Sequence, residues 1–401
     1  MKNEILKKPE AIWLITGGAM QRVAAEKIKK RGYVLIISDG SAECALHSIA
    51  DEFLHIDIFD IQGNIAMADE LKERYDIRAV FTTASDCHET VAHAARHLGL
   101  HGIDPAISRL CRYKHEAREL FTKEGIPQPK STTVTSFNEA QKIIKEFGLP
   151  VCFKSTNNAG SRGFTAMRTE EEITEKAFQN ALASGTTNLV IVEELLEAVE
   201  DEIAEQSVET LWYDGRMYWL NWVDRMFRQD MELFPEFDAS VYKKLPWAVE
   251  IGHLNPAVHS IDTTAAVQKM VEQAGRALGV HTQKGGHIMK YDIMLTSAGP
   301  YIIEVTPRLS GGWDSSGSTP MRGADFVDGA IEMALGTKIT AEVFYKYFAY
   351  KYPQIYVAML SEIPKNAQDC IGRRFAFDRG LNPHEAVANA YKKVIKKQFV
   401  I

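Results

Sequence analysis

Along the first hundred residues short apolar runs alternate with amphipathic stretches: 12–16, 21–30, 33–38, a polar stretch, 53–56, 65–75, 79–82 and 90–98. Strand-length runs separated by helix-period segments predict parallel strands joined by helical crossovers. In an open sheet of that kind the ligand crevice lies beyond the carboxyl ends of the strands. Gly17-Gly18 follows the first run there, and Asp39 follows the second. The stretch from Thr16 to Arg22 is not a complete dinucleotide fingerprint, and a tight strand-to-helix turn needs glycine in any case.

From Pro105 the pattern turns helical. Leu110, Tyr113, Ala117 and Leu120 share one face, and the run stops at Gly125-Ile126-Pro127-Gln128-Pro129, which predicts a domain boundary after a docking helix. Ser136 and Glu139 have capping-box spacing ahead of Phe137, Ala140, Ile143, Ile144 and Phe147; Thr169 and Glu172 repeat the device for a helix to about residue 184. Between them, strands 151–154 and 164–167 flank a small-residue loop, 155–163, whose amides can fold over a phosphate chain. A strand at 188–193 precedes a hairpin of 207–213 and 216–223 turning at Asp214-Gly215. Its aromatic residues Trp212, Tyr213, Tyr218, Trp219 and Trp222 read as cross-strand packing ahead of base stacking. Asp262 is placed to cap a helix bearing Val267, Met270, Val271, Ala274 and Leu278; strands 288–295 and 301–305 follow, and a tail from about 339 ends in a helix at 383–397.

Composition narrows the function classes. The 401 residues predict about two to four domains, and 46 Lys+Arg against 53 Asp+Glu leave a formal charge of −7, without the basic surplus of a nucleic-acid binder. Cys44, Cys87, Cys111, Cys152 and Cys370 are scattered with no C-x-x-C pair, which argues against a disulfide framework or structural zinc and for a reducing compartment. Neither a signal-type apolar core nor a run of the ~20 apolar residues needed to span a bilayer occurs. A cytoplasmic protein with no membrane or nucleic-acid partner is expected.

The candidate chemistry centres on Asp292 and Glu304, on adjacent antiparallel strands where their carboxylates can face one another. Hard oxygen donors of this kind suit magnesium (or manganese) that borrows phosphate oxygens from a substrate. Glu304, Thr306 and Arg308 alternate by two, which puts a fixed cation on the same face. Lys154 ends a buried strand just before the glycine loop, where an ammonium could meet a phosphate. The histidines His88, His93 and His97 fall on one helix, but their spacing misses H-E-x-x-H and they read as surface imidazoles.

The ordered series of Lys114 before GIPQP, GLPVCFKSTNNAGSRGF, VIVEELL and GGHIMKYDIMLTSAGPYIIEVTPRLSGG resembles the ATP-grasp superfamily, in its branch containing biotin carboxylase, carbamoyl-phosphate synthase and the purine-pathway ligases. The likeness runs from about residue 10 to 338. It implies an α/β and α+β fold: a Rossmann-like domain over 1–105, a two-lobed ATP-grasp domain over 106–338 (lid lobe about 130–196, larger lobe about 197–338) and a small C-terminal domain over 339–401. By the same resemblance Lys114 and Lys154 hold the ATP phosphates, with Ser161, Arg162 and Gly163 in the lid. Glu193 accepts from the adenine amine, Glu194 and Leu196 supply hinge backbone, and Glu205 (or Glu202) takes the ribose. Asp292 and Glu304 bind metal together with Thr306, which stands where the family has Asn, and Arg308 steadies an acyl phosphate. Substrate is expected between Gly17-Gly18 and the loop 310–317, with His253, Asp314 and Arg322 as contacts. The implied activity is an ATP- and Mg-dependent carboxylate–amine (or carboxylate–thiol) ligase acting on a small metabolite such as an amino acid, with a homodimer as the expected assembly. The alternatives are a phosphotransferase and a non-catalytic nucleotide-binding protein on the same fold.

Overall fold

The computed structural model describes residues 7–158, 160–235, 249–363 and 373–400; Cys370 and the loop residue Ala159 lie outside them. Strands β1 (Glu10–Ile15), β2 (Val34–Asp39), β3 (Glu52–His55) and β4 (Asp76–Phe81) form a parallel sheet in the order β3-β2-β1-β4. Side chains alternate across it, as strand geometry requires. Ile12 and Leu14 pack with Ala24, Ala25 and Ile28 of the helix Arg22–Lys30, while Ala11, Trp13 and Ile15 join Ala68 and Leu71 of the helix Ile61–Arg74. Both faces are therefore buried, which explains the continuous apolar run at 11–15.

A second, four-stranded sheet has the order β5-β8-β6-β7, from β5 (Ser131–Val134), β6 (Val151–Ser155), β7 (Thr165–Met167) and β8 (Val190–Glu194), all antiparallel. One face is covered by the helices Phe137–Phe147 and Glu175–Ala183. Thr169 and Glu172 cap a single 3-10 turn, and Thr174 caps the helix proper.

The third sheet has seven strands. It runs β13-β12-β9-β10-β11-β14-β15, from β9 (Glu205–Tyr213), β10 (Arg216–Met226), β11 (Gly252–Asn255), β12 (His287–Thr296), β13 (Gly299–Thr306), β14 (Tyr356–Ser361) and β15 (Phe375–Gly380). The helix Ile261–Ala277, capped by Ser260 where Asp262 was expected, packs Val267, Met270, Val271 and Ala274 on it. Trp212 and Trp222 are buried in hairpin packing, with Trp219 edge-on to Trp222 at 5.8 Å. The tail expected as a small domain of its own over 339–401 extends this same sheet: β14 pairs with β11, β15 pairs with β14, and the helix Pro383–Ile395 covers the two strands.

Candidate active site

The helix expected through Leu110, Tyr113, Ala117 and Leu120 is two helices, Pro105–Arg112 and Lys114–Lys123, broken at Tyr113. The break makes Lys114 the first residue of the second helix and turns it toward the large sheet. Its N–H donates to the Thr156 carbonyl at 2.8 Å, and its Nζ donates to the Asn158 carbonyl at 2.6 Å and lies 2.7 Å from Glu304 Oε1. One turn further, buried Arg118 donates through Nε to Glu193 Oε2 at 3.0 Å and through its terminal nitrogens to the Ile302 and Ile303 carbonyls at 3.1 and 2.8 Å. Lys154 pairs with the other oxygen of Glu193. Burial alone would raise the Glu193 carboxyl, but Arg118 and Lys154 outweigh it and hold the group below the ordinary glutamate range. Glu193, expected to accept from an adenine amine, is 1% exposed, with one oxygen on Arg118 and the other on Lys154. Sequence reasoning missed Arg118, whose only signal is its one-turn offset from Lys114.

The loop after β6 is pinned at its base and open at its tip. Ser155 Oγ donates to the Arg162 carbonyl at 3.1 Å, and Arg162 Nε donates to Asn158 Oδ1 at 2.7 Å, while Ser161 and Arg162 stay exposed. Gly163 sits at φ +77°, and a Cβ there would crowd Ser184 and the backbone of Ala181, so the loop's return requires glycine. At the end of β8 the Glu194 and Leu195 amides donate to the Lys130 and Pro150 carbonyls at 2.9 and 3.0 Å; Glu194 itself is exposed and Leu196 half-buried.

Across the β12–β13 pair Asp292 stands directly opposite Glu304, and Lys290 opposite Thr306. Asp292 is held by Lys290 and, from β10 over the intervening β9, by Arg225 at 3.2 Å. Burial would raise the Asp292 carboxyl, and the two cations reverse this and lower it. Arg225 also pairs with Glu250 and lies 3.8 Å from Glu205, whose carboxyl is pushed up to about 7 by burial, with Arg225 opposing. Glu205 thus belongs to this charge cluster at the start of β9. Arg308 donates to Asp86 at 2.7 Å and to the Leu309 carbonyl at 2.9 Å, while its Nε is buried without a partner. Asp86, in the loop after β4, was not anticipated.

Asp86, His88, Lys114, Asn158, Glu304 and Thr306 line a small pocket of about 180 Å³. The donor set fits a hard divalent cation: two opposed carboxylates, and a Thr306 hydroxyl that is 2% exposed and has no hydrogen-bond partner. Two protein carboxylates leave most of a magnesium coordination shell to water and phosphate. Among the described residues no group of three His, Cys, Asp or Glu side chains is placed to hold a metal; His97 instead lies 2.9 Å from Asp69, and His88 2.8 Å from Ser108 Oγ.

The expected substrate residues divide. Gly17 and Gly18 do lie beyond β1, but the Gly17 amide already donates to Asp39 at 2.7 Å, and the Gly312 amide meets Met20 Sδ at 3.4 Å, so the loop 310–317 closes against this crevice. His253, Asp314 and Arg322, expected as substrate contacts, are all buried among protein partners; Asp314 lies in the loop itself and His253 against it. His253 Nδ1 is 2.8 Å from Asp314 Oδ1, Asp314 accepts from Ser310 Oγ, and Arg322 donates to Asn255 Oδ1 at 2.7 Å and to the carbonyls of Pro353 and Ile355. Glu209, unremarked in the sequence, organises the same loop by accepting from the Ser310 amide at 2.7 Å and from Ser315 Oγ at 2.6 Å.

Residues 113–208 match the family described as the carbamoyl-phosphate synthase L chain, ATP binding domain. The chain is 24% identical over 285 residues to the uncharacterized protein y4rH of Sinorhizobium fredii, which covers 71% of this chain and 54% of that protein. It is 21% identical over 318 residues to the alanine–anticapsin ligase of Bacillus amyloliquefaciens, covering 76% of this chain and 63% of the ligase. The chain therefore spans a little over half the length of these relatives. Among solved structures, N5-carboxyaminoimidazole synthetase from Staphylococcus aureus complexed with ADP superposes with a TM-score of 0.70 at 15% identity, covering 97% of this chain and 98% of that one. The ATP-binding-domain match at 113–208 takes in the whole four-stranded sheet β5–β8 and the start of β9, and over nearly its full length the chain has the ATP-grasp fold of that synthetase.

Proposed function

We propose that this protein is an ATP-dependent carboxylate–amine ligase that works through an acyl phosphate. The observation that carries the reading is the register that sets Asp292 opposite Glu304, with Glu304, an unpartnered Thr306 hydroxyl and Lys114 lining one small pocket. The ATP-binding match over 113–208, the ADP complex of the Staphylococcus aureus synthetase and the ligase activity named for the Bacillus amyloliquefaciens relative support it.

In this reading the lobe of about 130–196 closes over ATP, with Lys114, Lys154 and the loop through Ser161, Arg162 and Gly163 on the phosphates, Glu194 and Leu196 at the base, and Glu205 toward the ribose. Asp292, Glu304 and Thr306 would hold magnesium, which supplies positive charge at the phosphate oxygens when bound. Because Lys114 and Lys154 now pair with Glu304 and Glu193, phosphate binding exchanges carboxylate partners for phosphate oxygens. A substrate carboxylate oxygen attacks the γ-phosphorus, and ADP departs. An amine then attacks the acyl carbon; phosphate leaves, and the amine loses a proton. Arg308, fixed by Asp86, faces the oxygen on which charge develops.

The test is ADP and phosphate release from Mg·ATP across a matrix of carboxylates and amines. Amine-dependent release is expected, with Glu304→Gln lowering kcat by at least about 100-fold, the scale of one lost electrostatic contact. Absence of release with every pair, together with unchanged ATP binding by Glu304→Ala, would overturn the reading.

A further inference from the structure

Residues 195–204 join the small four-stranded sheet to the seven-stranded one, and they form neither helix nor strand. At the small-sheet end the Leu195 amide donates to the Pro150 carbonyl at 3.0 Å. On the other side the Val199 amide donates to the Leu295 carbonyl at 3.2 Å, and the Ala204 carbonyl accepts from the Leu295 amide at 2.8 Å. A segment with so few backbone bonds opens easily unless side chains fix it. Glu197, Glu200 and Asp201 are exposed, whereas Glu202 turns onto His259.

His259 follows β11, directly before the capping Ser260, and its side chain is fully buried. Nδ1 donates to Glu202 Oε2 at 2.5 Å, and Nε2 donates to Asp224 Oδ1 on β10 at 2.7 Å. The proton on Nε2 follows from a count of donors. Gln206 on β9 also touches Nε2, but its oxygen accepts from Trp222 Nε1 at 2.7 Å, and its two amide hydrogens go to the Ile203 carbonyl and Asp224 Oδ1, each at 3.3 Å. None is left for the imidazole, which must itself donate to Asp224. An imidazole with a carboxylate on each nitrogen carries both protons, and the Trp222 ring stacked on it at 4.9 Å suits a cation. Burial alone would lower the imidazole's value, but Asp224 and Glu202 outweigh it and raise it above the ordinary 6.5. Asp262, at the start of the helix packed beside it, is exposed, and Asp230 is close enough to act on Asp224.

We propose that His259 is a positioning residue for nucleotide binding: held as an imidazolium between Asp224 and Glu202, it fixes segment 195–204 and with it the stance of the small lobe over the large one. The inference rests on the ligase reading for the placement of ATP between these lobes. It also gives Glu202, the alternative acid for the ribose, a different task. Because the folded imidazole is raised above 6.5, the contact is complete below about pH 6.5 and is lost as pH rises through the raised value.

Glu202→Ala removes the connector's half of the contact at a side chain 36% exposed, where the fold tolerates truncation. Calorimetry of Mg·ATP binding to the full chain should show Kd about fivefold higher in the variant at about pH 6, the scale of one partly exposed ion pair, and parent and variant converging toward about pH 9. Comparing the two proteins at each pH cancels the titration of ATP itself. Glu202→Gln keeps an acceptor for Nδ1 and should recover part of the affinity. Protection of the Val199 amide against hydrogen exchange reads the contact without nucleotide, and it should fall in Glu202→Ala at the lower pH. A deficit of equal size at both pH values would make Glu202 a nucleotide ligand and overturn the inference, as would unchanged affinity and protection. Lost protection in a chain that binds no ATP would overturn the ligase reading and leave the role of His259 in fixing the segment standing.

Discussion

Arg118 and Glu193 illustrate how much of this site is decided by single buried charges. Their side chains are 6% and 2% exposed, and Glu193 joins Arg118 to Lys154. Removing Arg118 leaves Glu193 to Lys154 alone and takes the guanidinium donors from the Ile302 and Ile303 carbonyls, at a cost of about 1–3 kcal/mol for a buried polar group left unsatisfied. Arg118→Met should therefore lower the denaturation free energy by that order, read from urea unfolding, whereas the same change at exposed Lys123 should be nearly silent. His287 sets a pH dependence. Its folded value of about 4 lies below the ordinary 6.5, so the unfolded chain takes up the proton first as pH falls. Stability from this group is complete above about pH 6.5 and is lost as pH drops toward 4. Replacing it in His287→Asn should flatten that part of the stability–pH curve, with His88, shifted in the same direction by burial, supplying the remainder. None of these shifts is legible in sequence, because each comes from residues brought close by other elements.

At the scale of elements, glycine positions separate propensity from packing. Gly275 lies within the helix Ile261–Ala277, where alanine would ordinarily gain about 1 kcal/mol. A Cβ there collides with the ring of Trp212 and with the Tyr291 hydroxyl, both buried in the seven-stranded sheet and joined by a 3.3 Å hydrogen bond. Neither can yield, and overpacking costs about 1–3 kcal/mol. Gly275→Ala should thus lower the unfolding midpoint, opposite to the helix-propensity sign. Alternation alone placed β1, β2, β12, β13 and the Asp214-Gly215 hairpin correctly, since period and turn chemistry are local. It did not reveal the break at Tyr113, because the 3,4,3 spacing continues across it. That break is what aims Lys114 at Glu304.

For the whole molecule, the N-terminal sheet is joined to the large lobe by a charged seam as well as by the apolar contacts of Ile28 with Val327 and Ile331 in one core. Lys27 lies 2.6 and 3.0 Å from Asp325 and Asp328, and Arg31 2.9 and 2.8 Å from Asp328 and Glu332. These side chains are about a quarter exposed, so each pair is worth up to about 1 kcal/mol and is weakened by salt. The double variant Lys27→Met, Arg31→Met should lower Tm at low ionic strength and differ less from the parent in 1 M salt, as measured by calorimetry.

The sequence by itself determined the alternating elements of the N-terminal sheet, the Asp214-Gly215 hairpin, the two opposed carboxylates and the glycine loop, because alternation, turn residues and strand register are local properties that neighbouring residues settle among themselves. Only the tertiary structure decided which charges meet. Glu193 was expected at an adenine amine and is clamped by Arg118 and Lys154, while His253, Asp314 and Arg322 looked like substrate contacts and are buried among protein partners. The tail looked separate and completes the seven-stranded sheet. Pairing between residues far apart in the chain depends on burial and on which acid reaches which cation first, and no local pattern encodes either.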